Sequence, residues 1–317
     1  MAERKVIEKA GSEDEKKKRR LLMLKIIPVA VLAFILIAVS LAWFTLDKAL
    51  DLDSFGMKSV NQPFELKTVG NKDNLKAEIL DSLGYSPVAD DSNITSDENT
   101  RIYWLLDDES GMKKSIEPGS HGTLTFYVVP NRSGDMEIQF NIGLTGYTAV
   151  ENDGKTAYEK VSDEKLEKLL NGHIMFFTDY KGGSYSGFLY DETLSRTFSE
   201  YEVGKPIPVT VYWVWPNTLG QILLTSTDEY LSSENGVLFA DESEERTSFA
   251  DYIIGHTDSY FKTENGVSEA DKAAIRKMLT GQKYDPSQLA SLSSMYNNAD
   301  ETIGTNVNEL LVELTAQ

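Results

Sequence analysis

One long apolar segment limits what the N-terminal part of this chain can be. Residues 26–44 read IIPVAVLAFILIAVSLAWF and contain no charged residue. A helix of this length, at 1.5 Å per residue, spans a bilayer core of about 30 Å. A basic block precedes the segment, which argues against a buried helix of a soluble protein. We therefore expect residues 21–45 to form a transmembrane helix or a signal segment.

The charges beside this segment predict its direction across the membrane. Five consecutive basic residues precede it: Lys16, Lys17, Lys18, Arg19 and Arg20. Because basic flanks stay in the cytoplasm, residues 1–20 are expected inside and residues 46–317 outside the cell. Small residues between Ser40 and Ala42 also fit a signal-peptidase site. The exported part is thus either anchored by a single membrane pass or secreted after cleavage.

The exported part is strongly acidic and has no cysteine. Residues 1–25 hold nine of the 31 Lys and Arg residues and five of the 50 Asp and Glu residues. This leaves 22 basic and 45 acidic residues, a net charge of −23. Such a surface repels phosphate backbones, so nucleic acid is not an expected partner. The lack of cysteine excludes disulfides, thiolate metal sites and cysteine nucleophiles.

Alternating apolar residues predict several β-strands. Apolar side chains occupy every second position in residues 124–128 and again in residues 136–144, with turn residues 130–135 between them. This pattern is typical of a β-hairpin with one solvated face. A further strand is predicted over 207–215, where Ile207, Val209, Val211, Trp213 and Trp215 share one face. Segments 173–177 and 187–190, on either side of a Gly182-Gly183 turn, predict a second hairpin.

Capping residues and apolar spacing predict four short helices. They are expected over residues 163–170 after Ser162, 242–254, 269–280 after Ser268, and 286 to about 296 after Asp285. Gly172 and Gly281 are expected to end the first and third of them. The tail 307–314 fits both a strand and a helix, and the strand is slightly favoured.

These elements predict a mainly β fold class. We expect an antiparallel β-sandwich, jelly-roll-like and with helical insertions, rather than an alternating α/β chain with a parallel sheet. No Pro/Ser-rich linker divides the exported part. Residues 46–317 are therefore treated as one extracellular domain that follows one transmembrane helix.

Three short motifs resemble the TasA/camelysin group of exported surface proteins. Ala42-Trp43-Phe44-Thr45 closes the apolar segment, and Ser54-Phe55-Gly56-Met57-Lys58-Ser59-Val60 follows it. Ile116-Glu117-Pro118-Gly119-Ser120 is similar to the turn that enters a sandwich strand in that group. Together they cover about 45 residues. Phe55 and Gly56 are adjacent here, whereas two residues separate them in the group's F-x-x-G pattern.

The resemblance implies a function in assembly. Its members are jelly-roll surface proteins with a SipW-type signal segment, and relatives build biofilm matrix fibres by passing an N-terminal strand into the neighbouring subunit. The corresponding strand here is Leu46–Val60, and its candidate assembly residues are Leu46, Leu50, Leu52, Phe55 and Val60. A retained membrane anchor would either tether the first subunit or exclude polymerisation.

The search for catalytic chemistry finds no recognisable motif. His121, His173 and His256 lie far apart, and none belongs to an HExxH pair. No G-x-S-x-G motif, phosphate loop or dinucleotide fingerprint is present. Acidic pairs such as Asp107-Asp108 would serve a glycosidase only across a cleft of suitable width. We expect no enzyme, and rank a hydrolase last among the candidate functions.

An acidic segment supplies the weak candidates for a metal. Asp90, Asp91, Asp97 and Glu98 offer hard oxygen ligands that suit calcium if the loop wraps back on itself. The spacing is not that of an EF-hand, and a solvated acidic loop is the simpler interpretation. No other cofactor is expected.

Tryptophans are the candidate ligand-binding aromatics. Trp104, Trp213 and Trp215 lie in predicted strands, where exposed rings would stack on sugars. Trp213 and Trp215 share their strand face with three aliphatic residues, which favours a place in the core. The leading hypothesis is therefore a tethered or secreted surface protein that acts through protein contacts or self-association. A carbohydrate-binding module of the cell surface is the alternative.

Overall fold

The computed structural model describes residues 63–68, 100–106, 116–152, 155–189, 193–231, 236–241 and 244–317. The predicted membrane segment, the candidate assembly strand and the acidic calcium candidates lie outside these residues. Within the described ranges, no helix is both long and apolar enough to cross a membrane.

Within the described residues, ten strands form two antiparallel sheets, and neither sheet closes on itself. The strands are β1 (Phe64–Thr68), β2 (Arg101–Leu105), β3 (His121–Pro130), β4 (Met136–Asn152), β5 (Lys155–Lys160), β6 (Met175–Lys181), β7 (Ser184–Phe188), β8 (Thr193–Phe198), β9 (Ile207–Val214) and β10 (Glu309–Ala316). The first sheet has the order β1-β3-β9-β6-β7. The second has the order β2-β10-β4-β5, with β8 paired to the first half of β4. The mainly β, sandwich-like architecture predicted from the sequence is confirmed.

The core of the sandwich comes from the alternating residues of both sheets. Phe126 of the first sheet contacts Phe140 of the second edge to face, at 5.1 Å between ring centroids. Trp104 packs on the same Phe126 ring at 6.1 Å. Such tilted and edge-to-face pairs are the favoured arrangements of aromatic rings. The period-2 pattern therefore predicted correctly which side chains face inward.

The pairing of β3 with β4 was predicted wrongly. These strands do not form a hairpin, because β3 pairs with β1 and β9 whereas β4 pairs with β10, β5 and β8. The connection 131–135 carries the chain from one sheet to the other. Two alternating strands can bury their apolar faces side by side in one sheet or face to face in two. The alternation alone does not distinguish these arrangements.

The second predicted hairpin is confirmed, with shifted bounds. Strands β6 and β7 pair across a two-residue turn in which Gly182 and Gly183 have φ values of +64° and +88°. Positive φ at both central positions is the requirement of the tight turns that suit strand twist. His173, however, ends a helix instead of opening the strand.

Six helices accompany the sheets in the described part of the chain. They are α1 (Glu164–His173), α2 (Leu219–Leu223), α3 (Glu244–Gly255), α4 (Thr257–Tyr260), α5 (Glu269–Leu279) and α6 (Pro286–Asn306). Five of the six lie between β9 and β10, so the helices form one large insertion instead of scattered short ones. Apolar residues of α2 to α5 and of the first half of α6 pack on the outer face of the first sheet, around Phe177, Phe188 and Val214, as a second core. Those of α1 and of the second half of α6, such as Leu170 and Ile303, belong to the sandwich core.

The helix ends confirm some predictions and correct others. Ser268 caps α5 as predicted, because its hydroxyl accepts a 3.2 Å hydrogen bond from the Asp271 amide; the same hydroxyl donates a 2.6 Å bond to the Asp271 carboxylate. For α1, Asp163 is the N-cap instead of Ser162, because its carboxylate accepts a 2.9 Å bond from the Lys165 amide. Helix α6 continues ten residues beyond the predicted end at Tyr296. The chain then returns to the second sheet as β10, so the favoured strand for the tail is confirmed.

Candidate functional site

The two edges of the first sheet differ. At the β7 edge, the Tyr185 amide donates to the Leu238 carbonyl at 2.7 Å, and the Phe188 amide donates to the Glu245 carboxylate. The segment 236–239 and helix α3 therefore cover this edge. Covering an edge in this way prevents the strand from pairing with another chain.

The β1 edge is open among the residues that the structure describes. The Asn131 amide donates to the Pro63 carbonyl, which directs the backbone of Pro63, Glu65 and Lys67 towards β3. Successive residues of a strand point their backbone groups to opposite sides. The N–H and C=O groups of Phe64, Leu66 and Thr68 therefore point away from β3, and no described strand pairs with β1 on that side. This row of groups is a template for one added strand.

A buried polar cluster joins the sandwich to the helical layer. We define it as His173 at the end of α1, Asp300 and Tyr296 on α6, Trp215 after β9, and the Tyr260 carbonyl at the end of α4. His173 has no exposed surface. Its Nδ1 lies 2.7 Å from Asp300 Oδ1, and its Nε2 lies 3.1 Å from the Tyr260 carbonyl oxygen. Trp215 Nε1 donates to the same Asp300 oxygen at 2.7 Å.

Tyr296 completes the cluster through its ring. The ring stacks on His173 with 4.1 Å between centroids and 16° between planes. Its hydroxyl is buried and makes no hydrogen bond within the described residues. Burial, followed by the nearby Asp300 and Tyr260, raises the pKa of the Tyr296 phenol well above its ordinary value. The phenol therefore remains neutral, and Asp300 is the carboxyl group that contacts His173.

The sequence patterns did not predict this cluster. His173 was assigned to a turn or strand end, and Asp300 and Tyr296 carried no functional assignment. Along the sequence, His173 lies 127 residues from Asp300, and Trp215 lies 85 residues from Asp300. No local pattern links positions so distant. The only sequence signal was the helical spacing of Leu289, Leu292 and Tyr296, which indicated a buried face but not its polar neighbours.

The concave surface of this region is a polar groove. Three cavities of about 600, 510 and 230 Å³ share Lys165 and Lys262 in their linings. The groove runs between α1, residues 262–266 and the second half of α6. The charged residues that line it are four lysines and five acids: Lys160, Lys165, Lys168, Lys262, Glu159, Asp163, Asp258, Glu264 and Glu301. This near balance does not select for a ligand of either charge.

The three candidate tryptophans are core residues. Trp104, Trp213 and Trp215 expose only 4%, 1% and 2% of their surfaces. Their rings cannot stack on a sugar from this position, so the idea of exposed tryptophans is corrected in favour of the core interpretation. Physically, all three share a strand face with aliphatic residues, and this face points into the sandwich.

The other predicted site residues are either separate or outside the described part. His121 and His256 are exposed and hydrogen-bond to the backbone carbonyls of Gly119 and Tyr252. The described ranges contain no group of three or more His, Asp or Glu residues that could hold a metal ion. The calcium candidates, the assembly residues and the basic orientation block have no described positions, so they remain predictions.

Comparisons with known proteins add no relative. No protein-family model, curated protein or solved structure matches this chain. The fold itself defines the class of this protein: a two-sheet antiparallel sandwich with a helical layer on the outer face of one sheet.

Proposed function

We propose that this chain is an exported surface protein that acts through protein–protein contacts, and that copies associate by strand exchange. In this proposal residues 46–60 of one copy pair with the open β1 edge of another. The observation that carries it is the contrast between the two edges of the first sheet. One is covered by α3 and segment 236–239, whereas β1 directs the Phe64, Leu66 and Thr68 backbone outward.

The position of the donor strand supports the proposal. Residues 46–60 precede β1 by only a few residues and carry apolar side chains at Leu50, Leu52 and Phe55. A segment so placed either folds back on its own β1 or extends into a neighbour. Pairing in trans joins copies head to tail, a contact that propagates into open chains unless its rotation closes a ring. The jelly-roll assignment and the location outside the membrane belong to this proposal.

Truncation tests the role of the donor strand. Residues 46–317 should associate as concentration rises, whereas residues 61–317 should remain monomeric, because the second protein keeps the β1 edge but lacks the strand that fills it. Size-exclusion chromatography with light scattering measures both. Replacing Leu50 and Leu52 by lysine in the longer protein should act like the truncation. Equal association of the long and short proteins, or none at any concentration, would contradict strand exchange.

Cysteine trapping then distinguishes exchange from folding back. The chain has no cysteine, so each introduced thiol is unique. One protein carries Lys67→Cys on β1, and a second carries Cys at position 50, 52 or 55. Strand exchange predicts a disulfide between the two proteins when they are mixed and oxidised. A third protein carries both cysteines in one chain. If disulfides form only within this chain and not between the first two proteins, the segment pairs with its own β1.

Carbohydrate binding remains a second candidate, because one described aromatic cluster has an exposed ring on two partly buried ones. Tyr180 exposes 46% of its surface and contacts the rings of Tyr185 and Tyr212 at centroid distances of 4.6 and 6.1 Å. Such rings can stack on a sugar. Tyr180→Ala should abolish binding on a glycan array, whereas Tyr230→Ala should not, although Tyr230 is equally exposed at 51%. An array without any bound glycan would remove this candidate.

A further inference from the structure

The hydrogen bonds of His173 determine how many protons its ring and the Asp300 carboxyl group must carry together. A neutral imidazole carries one N–H group and one acceptor nitrogen. Both ring nitrogens of His173 face oxygen acceptors: a carboxylate oxygen of Asp300 at 2.7 Å and the Tyr260 carbonyl at 3.1 Å. A carbonyl cannot donate, so Nε2 must carry a hydrogen. The short contact at Nδ1 then requires a second hydrogen, either on Nδ1 itself or on the Asp300 carboxyl group.

The surroundings favour a positive charge on His173. It is the last residue of α1, and the carbonyl end of a helix stabilises a cation. The Tyr296 ring lies parallel to it at 4.1 Å, so the face of the π system covers the imidazole. Asp300 is the acid in hydrogen-bond contact, whereas Asp258 on α4 is paired with Lys168 at the surface. Tyr260 and Tyr296 are the other titratable groups that face the cluster.

We propose that, in the folded protein, the His173–Asp300 pair binds one proton more than a neutral imidazole and a carboxylate together would bind. This additional proton stabilises the contact between the helical layer and the sandwich. The pair connects α1, α4 and α6 and reaches the sandwich through Trp215, whose indole N–H donates to Asp300. Loss of the proton leaves lone pairs facing each other at one of the two imidazole nitrogens. Such a contact is expensive at His173, which has no exposed surface, so that water cannot replace its lost bond, although 12% of the Asp300 side chain is exposed.

The sign of the resulting pH effect follows from linkage. Histidine in an unfolded chain releases its proton near pH 6.5. Above that pH, folding takes up a proton at the pair, so the folded state is favoured less as the pH rises. One proton corresponds to about a tenfold fall in the folding equilibrium constant per pH unit. The fall stops where the folded pair also loses its proton.

Histidine side-chain NMR of the full chain in detergent micelles tests the proton directly. With three histidines in the chain, the exposed His121 and His256 serve as internal references. The spectra are recorded at about pH 7.5, roughly one unit above the ordinary pKa of a histidine side chain. The proposal expects His173 to show two N–H signals, or one N–H signal together with a protonated Asp300 carboxyl carbon. A singly protonated His173 beside an ionised Asp300 would overturn it. His→Gln variants assign the signals.

An isosteric variant gives the second measurement. In Asp300→Asn the carboxylate that stabilises the additional proton is absent, so folding of the variant should take up no proton at this pair. Between about pH 7 and 8.5 the folding constant of the wild type should fall relative to that of Asp300→Asn, approaching tenfold per pH unit. If the folding constants of the two proteins changed in parallel with pH, the proposal would be contradicted. If the variant does not fold, the NMR proton count on the wild-type chain decides.

Discussion

Replacing Gly172 by alanine should destabilise the protein by about 3 kcal/mol, at the upper end of the range for overpacking a well-filled core. A Cβ atom at this position would lie 2.0 Å from the Ser259 carbonyl oxygen and 2.5 Å from its carbonyl carbon. These are backbone atoms of α4 and cannot rotate away. Helix α1 would have to separate from α4, and such a shift would also displace the neighbouring His173.

Gly304 provides the matched control for this substitution. It also lies in a helix, α6, but its added Cβ would meet no atom within 4 Å. Gly304→Ala should stabilise the protein by about 0.5–1 kcal/mol, because alanine loses less backbone entropy in a helix than glycine. Urea unfolding of the full chain measures both variants. If they shift stability in the same direction, the close approach of α1 and α4 is not a rigid feature of the fold.

The same glycine explains why one helix end was predicted too early. Glycine after a helix usually marks its end, so Gly172 was expected to end α1. The helix instead includes it and continues to His173. A tertiary contact outweighs the local preference here, since only glycine allows the Ser259 backbone to approach. Nothing in the local sequence reports a neighbour that is 87 residues away.

The fold class was predictable from local pattern, whereas the connection of strands was not. Alternation at Leu124, Phe126 and Val128 identified the buried face correctly, because exposure along a strand has a period of two. The partner of each strand depends on distant segments. The C-terminal β10 lies in the middle of the second sheet, between β2 and β4, more than 150 residues along the chain from either.

The candidate site illustrates the same division. Burial of Trp213 and Trp215 followed from their aliphatic strand face, and the structure places both in the core. The same strand face did not predict that Trp215 also donates its N–H to Asp300. Apolar patterns predict which residues are buried, but the polar partners of buried groups are selected by three-dimensional packing and have no fixed sequence spacing.

Replacing Arg246 by methionine should cost about 3 kcal/mol of stability. This guanidinium is 2% exposed, and burial, partly offset by Asp241, lowers the pKa of Arg246. Its Nη2 donates to the Leu223 carbonyl at 3.0 Å and its Nε to the Leu279 carbonyl at 2.8 Å. These carbonyls belong to the last residues of α2 and α5, so one side chain caps two helix ends. Methionine fills similar space but leaves both carbonyls without these bonds.

Two controls separate the role of the charge from that of the fork geometry. Arg246→Lys keeps the charge but cannot reach both carbonyls with a single ammonium group, so its loss should be intermediate. Arg276→Met removes an exposed ion pair with Asp251, with 57% and 77% of the two side chains exposed, and should leave stability unchanged within error. A loss for Arg276→Met as large as that for Arg246→Met would contradict a specific role of the buried caps.

Two spectroscopic probes show whether the loss of stability in Arg246→Met is confined to the helical layer. Trp104, Trp213 and Trp215 all lie in the sandwich core, so tryptophan fluorescence in a Trp43→Phe background reports mainly the sandwich, together with the Trp215 contact to Asp300. Circular dichroism at the helical band reports mainly the helices. Because the His173 cluster ties both layers together, Arg246→Met should shift both signals to the same lower urea concentration. If the helical signal were lost first while fluorescence kept its wild-type midpoint, the two layers would unfold separately, and the cluster would not couple them.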